Sequence, residues 1–213
     1  PIERASRLLP QFNIKQKLSS KRLNYGLKLM FWGFFQKIVI ADNLKSFVDI
    51  VFANPNEYSG ISIIIATVFF AFQIYCDFAG YTNIAIGAAH IFGIKLMQNF
   101  RQPYFSFSIQ NFWNKWHISL SSWFKDYIYI SLGGNKVIRW KWYYNIIITF
   151  VLSGLWHGAN QTFVIWGLIH GCFYLIEFFV KKRFKKSRRL YIILSSNKFI
   201  KLLRIIFVFT IVC

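Results

Sequence analysis

One histidine, His157, lies in a stretch of aromatic and branched residues that carries almost no charge. Between residues 143 and 180, Glu177 is the only aspartate, glutamate, lysine or arginine. If such a segment is embedded in a membrane, an ionisable group within it is by default a candidate functional site. The alternative is a neutral imidazole that hydrogen-bonds between packed helices, and this feature alone does not decide between the two.

A second histidine, His117, lies in a segment rich in tryptophan and serine, residues 113–121. If this segment continues as one helix, four side chains share a face: Trp113, His117, Leu120 and Phe124. Taken alone, a histidine on an aromatic face is more often an interfacial packing residue than a catalytic one.

Two aspartates are candidate partners of these histidines. Asp126 follows His117 by nine positions, about 900° on a straight helix, so a direct pair would need a bend. Asp77 follows a long uncharged run, and it would either orient a histidine or hydrogen-bond neighbouring helices together. His90 and His170 have no comparable context, and we interpret them as structural.

The sequence contains no motif for a metal site, a phosphate-binding loop or a serine hydrolase. Ser153-Gly154 matches only half of the Gly-x-Ser-x-Gly pattern and is a weak indication of a nucleophile. The three cysteines, Cys76, Cys172 and Cys213, lie in apolar surroundings and share no ligand spacing, which is typical of small buried residues. We therefore expect no bound cofactor and no metal.

The composition indicates a membrane protein. Hydrophobic residues make up 55% of the chain and aromatic residues 21%, whereas charged residues make up only 15%, well below the fraction usual in soluble domains. Lysine and arginine outnumber the acids by 26 to 7, but they cluster between apolar runs, as in cytoplasmic loops. Because there is no basic and aromatic platform outside the apolar segments, nucleic-acid binding is not expected.

The order of segments predicts an all-α, polytopic bundle. The uncharged run 61–76, with the turns after it, is long enough to span a bilayer, and residues 162–180 form a second span. After the first run, Gly80 and Gly87 continue a face of small residues suited to close helix packing.

Three further segments are assigned from their composition. The basic residues 1–24 are predicted to be a surface segment or loop, and residues 25–43 a partly embedded helix whose lysines reach the interface. Residues 112–130, crowded with tryptophan and tyrosine, have the composition of an interfacial or re-entrant helix.

The position of His157 along its helix predicts its depth. A helix from Tyr143 to His157 has 15 residues and rises about 22 Å, less than a full span, so His157 would lie inside the bilayer near a glycine-rich break. Irregular backbone at that depth is tolerated only beside protein or a water-filled cavity. The basic run that follows predicts a cytoplasmic loop over residues 181–199.

Four strings resemble the membrane-bound O-acyltransferase family, specifically its alginate O-acetyltransferase-like branch. They are Pro-Ile-Glu-Arg-Ala at residues 1–5, Tyr-Cys-Asp-Phe-Ala-Gly-Tyr at 75–81, Phe-Trp-Asn-Lys-Trp-His-Ile-Ser-Leu at 112–120 and Ser-Gly-Leu-Trp-His-Gly at 153–158. The last two, in this order, are the most specific, and the resemblance covers about residues 1–180. Family members are considerably longer, so we expect residues 1–213 to be part of one membrane domain, with its N- and C-terminal parts missing.

The resemblance implies an integral membrane enzyme that transfers an acyl group to a hydroxyl. In the family, the histidine of the Trp-His-Gly string, here His157, is the essential catalytic residue. The histidine of the Trp-His-Ile-Ser string, here His117, lies near it along a path through the membrane. Four residues are assigned supporting roles: Asp77, Asp126, Trp156 and Ser153.

The chemistry fits these residues, since a hydroxyl that attacks a thioester must lose its proton, and a neutral histidine accepts it. Burial lowers the pKa of a histidine and keeps it able to accept. We expect His157 to be the general base and His117 to position the acceptor or to polarise the thioester carbonyl. The basic loops would attract an anionic donor, an acyl-CoA or an acylated carrier protein.

The sequence thus predicts a multi-pass enzyme of the bacterial inner (cytoplasmic) membrane that acetylates an exported or cell-surface polysaccharide, as in alginate biosynthesis. Its expected partners are membrane lipid, the polysaccharide acceptor and a periplasmic or extracellular acetyltransferase. D-alanyl transfer to teichoic acid is the alternative within the same family branch. A non-catalytic membrane subunit for transport or scaffolding is the alternative from another class.

Overall fold

The computed structural model describes residues 1–185 and 197–213, and within these ranges it contains helices, turns and irregular segments but no strand. The predicted all-α fold is therefore confirmed for the described residues. They divide into two compact units, residues 1–99 and residues 100–212. Two of the described helices are long and apolar enough to cross a membrane, Gly60–Ile91 and Gln161–Arg183, in agreement with the two predicted spans.

The first unit contains four α-helices. They are α1 (Ala5–Phe12), α2 (Ser20–Phe34), α3 (Asp42–Ala53) and α4 (Gly60–Ile91), with a π-helical segment (Phe35–Ala41) that joins α2 to α3 without a break. Residues 1–24, predicted to be a surface segment or loop, lie at the surface, but the loop alternative was wrong because they contain α1 and the start of α2. Lysine and arginine are good helix formers, so a basic composition does not by itself exclude a helix.

Two pairs of glycines let α2 and α4 pack backbone to backbone. Gly26 lies against Gly87, and Gly33 lies against Gly80, so the two helices run antiparallel and each carries its glycines seven residues apart. A Cβ placed on Gly26 would lie 2.6 Å from the Gly87 carbonyl oxygen, and one on Gly80 would lie 2.6 Å from that of Gly33. The predicted close-packing role of Gly80 and Gly87 is confirmed, and α2 supplies the matching pair.

Lys37, in the π-helical segment, links two carboxylates. Its Nζ lies 2.8 Å from Asp42 Oδ1 and 2.5 Å from Asp77 Oδ1 on α4. Beside this cluster, Asn83 donates to the side-chain oxygen of the buried Gln36 at 2.7 Å. Of the two roles considered for Asp77, the ion pair with Lys37 favours the one in which it joins neighbouring helices.

The second unit contains five described α-helices and a second π-helical segment. They are α5 (Ile109–Trp113), α6 (Ile118–Phe124), the π-helical segment Lys125–Tyr129, α7 (Arg139–His157), α8 (Gln161–Lys185) and α9 (Lys198–Val212). The predicted basic loop 181–199 is only partly described: its first residues continue α8, its last begin α9, and residues 186–196 lie outside the described ranges.

One expectation for this unit is corrected. Residues 112–130 do not form one helix, because the backbone turns at His117, so Trp113, His117, Leu120 and Phe124 do not share the face of a single helix. The helix that ends at His157, α7, has 19 residues and rises about 28 Å, four residues more than the sequence argument assumed. The depth of His157 in a bilayer stays a prediction.

The helices α7 and α8 form a tightly packed antiparallel pair. A Cβ on Gly154 would overlap the Phe163 carbonyl, and one on Gly167 would overlap the Phe150 carbonyl. Only three residues, Gly158, Ala159 and Asn160, connect the two helices. His157 is therefore fixed at the end of α7, where the chain reverses direction.

Candidate active site

A cavity of about 330 Å³ lies within the second unit. One wall is a stripe along α7, with lining residues at intervals of three or four positions: Trp142, Ile146, Thr149, Ser153 and His157. Because α7 rises about 22 Å between residues 142 and 157, the cavity is elongated along this helix. Both histidines predicted to be functional, His117 and His157, line it.

The opposite wall is built by α6 and the π-helical segment after it. Its lining residues are His117, Leu120, Ser121, Phe124, Lys125 and Tyr129. At the far end, the Trp142 indole N–H donates to the Tyr129 hydroxyl at 2.8 Å, whereas His117 lies near the other end of α7. The two walls therefore run antiparallel, and His117 and His157 share one end of the cavity.

The buried side chain of Asn145 holds the two walls together. Its amide nitrogen donates to the carbonyl oxygens of Leu132 and Gly134, at 3.1 Å in both cases. Gly133 and Gly134 have φ values of +95° and +55°, and they end the helical path as the sequence predicted. This connection sets the position of α6 relative to α7.

His117 has a backbone conformation that is rare for its residue type. It lies immediately before α6 with φ 43° and ψ 54°, in the left-handed region. Its side chain is buried at 6% exposure. Burial, and to a smaller extent the nearby His157, lowers the pKa of the imidazole to about 4. His117 is therefore neutral at physiological pH and able to accept a hydrogen bond.

His157 lies at the exposed mouth of the cavity, among aromatic rings. It is the last residue of α7, and its ring stacks on Phe163 at a centroid distance of 6.2 Å and meets the edge of Trp166 at 5.4 Å. His157 is exposed at the surface of this unit, whereas His117 is buried. The difference follows from the helix end, which leaves residues 155–157 uncovered.

The supporting residues assigned from the sequence are placed differently from one another. Ser153 lines the cavity one turn from His157, and Trp156 contacts both histidine rings. Asp126 is exposed and is not among the lining residues. Asp77 belongs to the first unit, where it pairs with Lys37.

Several lining residues were not recognised as candidates from the sequence. Tyr129, Trp142, Thr149 and Tyr174 line the cavity, and the spacing of residues 142, 146, 149, 153 and 157 could have identified the α7 stripe. His170, interpreted as structural, is buried against Trp113 and Trp166, with ring centroids at 5.1 and 4.6 Å. It does not line the cavity.

Comparison with known proteins identifies the family of the chain. The family model for membrane-bound O-acyltransferases matches residues 1–213, including the segment after residue 180 that the sequence resemblance did not cover. The chain is 44% identical over 173 residues to a peptidoglycan O-acetyltransferase of Helicobacter pylori, covering 80% of this chain and 33% of that protein. It is 44% identical over 177 residues to a probable alginate O-acetylase of Pseudomonas aeruginosa, covering 83% and 34%.

A relative with lower sequence identity is named for another activity. A teichoic acid D-alanyltransferase of Bacillus subtilis is 30% identical over 230 aligned positions, which cover all of this chain and 55% of that protein. The chain spans about a third of the length of the two O-acetylating relatives. These matches lead to one conclusion: the chain belongs to the membrane-bound O-acyltransferase family.

Proposed function

We propose that this chain carries the active site of a membrane O-acyltransferase that acetylates hydroxyl groups of a cell-surface polysaccharide. The observation that carries the proposal is the shared cavity end at which His117 and His157 both contact Trp156. Two relatives named for O-acetylation of peptidoglycan and of alginate support acetyl as the acyl group and polysaccharide as the acceptor.

In the proposed reaction, His157 is the general base. Its imidazole takes the proton of the acceptor hydroxyl as that oxygen attacks the thioester carbonyl. The new C–O bond forms and the C–S bond breaks, and the leaving thiolate is then protonated by the imidazolium. The donor is an acyl-CoA or an acylated carrier protein, which acts as a substrate and not as a bound cofactor.

His117 has a different role in this proposal. Because its imidazole is buried and neutral, its Nε2–H or Nδ1–H can donate to the thioester carbonyl or to the acceptor without the cost of placing a charge there. The exposed position of His157 leaves it accessible to substrate. Trp156 contacts both rings, and Ser153 adds a hydroxyl to the α7 wall.

D-alanyl transfer to teichoic acid is the second candidate function. It is favoured by the relative whose alignment covers the whole of this chain, although at lower identity. The cavity does not distinguish the two acyl groups, since both reactions need a base at the acceptor hydroxyl. We place the enzyme in the bacterial inner membrane and expect it to act with a periplasmic or extracellular acetyltransferase.

The test is the acyl content of surface polysaccharide in cells that carry the full-length protein. Wild type, His157→Ala and the matched control His90→Ala are compared at equal amounts in the membrane, and both acetyl and D-alanyl esters are measured. We expect acetyl ester to fall at least a hundredfold with His157→Ala and to stay unchanged with His90→Ala. Loss of D-alanyl ester alone would support the second candidate, and unchanged esters of both kinds would overturn the assignment.

A further inference from the structure

We propose that the N-terminal segment, residues 5–18, lies flat in the membrane interface and binds the headgroups of anionic phospholipids. This inference does not depend on the proposed activity. It rests on where the first unit holds the segment, on the apolar side chains that the segment exposes and on its charge.

The segment is fixed at one end of a candidate membrane span. Gln11 Nε2 donates to the Lys95 carbonyl oxygen at 3.2 Å, and the Lys95 amide donates to Gln11 Oε1 at 2.7 Å. Just before the segment, the Glu3 carboxylate accepts from the Met97 amide. Because α4 ends at Ile91, these bonds hold the segment at the level where the span leaves the membrane.

Hydrogen bonds, and not burial of apolar groups, hold the segment in place. Its apolar side chains therefore remain uncovered: Leu9, Phe12, Ile14 and Leu18 are 60%, 59%, 57% and 90% exposed. Phe92, at the end of α4, is also 72% exposed. Groups of exposed apolar side chains mark a surface that is covered by a membrane or a partner.

The positive charge of the segment favours binding to a membrane that contains anionic lipids. Four exposed basic side chains lie in or next to it: Arg7, Lys15, Lys17 and Lys21. Within residues 1–41, Glu3 is the only acid, and its carboxylate is already bonded to the Met97 amide. Basic residues interleaved with exposed apolar ones at a membrane boundary are typical of interfacial segments that bind anionic bilayers.

The lipid preference is tested with the full-length protein in nanodiscs of phosphatidylcholine containing about 30% phosphatidylglycerol, a content chosen to give a strongly anionic surface. Native mass spectrometry measures how much of each lipid the released protein retains. The variant Lys15→Gln/Lys17→Gln/Lys21→Gln is compared with Lys136→Gln/Arg139→Gln/Lys141→Gln, which removes the same charge from exposed positions just before and at the start of α7. We expect the first variant to lose the preference for phosphatidylglycerol at least about fivefold more than the second.

The depth of the segment is measured independently. A nitroxide on Leu18→Cys, in a background without other cysteines, should be accessible to oxygen and protected from a water-soluble nickel chelate. The control label, Asn56→Cys, lies in the exposed turn at the opposite end of α4 and should be accessible to the nickel chelate. Equal loss of lipid preference in the two charge variants, or a water-accessible label at residue 18, would overturn the proposal. The latter result would instead indicate a surface for a soluble acidic partner such as a carrier protein.

Discussion

The buried imidazole of His117 meets the indole of Trp156 edge-on, with ring centroids 6.0 Å apart. Trp156 directly precedes His157, and those two rings are 5.0 Å apart. One aromatic side chain therefore contacts two histidines that are forty positions apart in the chain. The contact requires both the turn at His117 and the end of α7 at His157.

Trp156 should matter through its ring. We expect Trp156→Ala to lower acyl transfer about tenfold or more, because loss of the indole frees both imidazoles to move away from their productive positions. Trp156→Phe keeps an aromatic ring and should retain most of the activity. The measurement is ester formation by purified full-length variants, and equal activity of the two variants would show that the ring does not position the histidines.

The left-handed backbone conformation of His117 should lower the stability of the folded protein, although it places the imidazole at the cavity. A non-glycine residue in this region is less stable by about 1–2 kcal/mol, whereas glycine is not. We therefore expect His117→Gly to be about 1 kcal/mol more stable than His117→Ala, although both lose transfer activity. Thermal unfolding of the two variants in detergent measures the difference. A more stable alanine variant would show that the φ of 43° carries no strain.

Stability should fall in acid because of His117. Its pKa is lowered to about 4 in the folded protein, against about 6.5 in the unfolded chain. As the pH falls from about 6.5 to 4, the unfolded state binds a proton that the folded state does not, so the free energy of unfolding decreases by up to about 3 kcal/mol. His117→Gln lacks this group. Melting temperatures over this pH range should therefore fall more steeply for wild type than for His117→Gln, and parallel curves would contradict the assignment.

The glycine contacts between α2 and α4 should not accept a methyl group. In Gly80→Ala the new Cβ would lie 2.6 Å from the Gly33 carbonyl oxygen, so the helices must move apart at a cost of about 1–3 kcal/mol. Gly60→Ala is the matched control, because no atom lies within 4 Å of the added methyl group. Thermal unfolding should show a clear loss for the first variant and little change for the second.

The all-α fold and the membrane character of the chain follow from local composition, which is why they could be predicted. The runs 61–76 and 162–180 are long and apolar enough to cross a membrane, and both lie within observed helices. The glycine-rich ends at Gly133-Gly134 and Gly158 were also predicted from residue type. The break at His117 was not, because a left-handed turn at a histidine has no signal in residue composition.

The sequence alone determined that the chain is helical and membrane-associated, and it identified His117 and His157 by their neighbouring residues. Only the tertiary structure decided that these two side chains share one end of a cavity, and that His117, not His157, is the buried one. The physical reason is that the distance between them depends on packing between segments. The Asn145 bonds, the close contact of α7 with α8 and the turn at His117 set it together. None of these contacts can be predicted from a periodic pattern of residues along the chain.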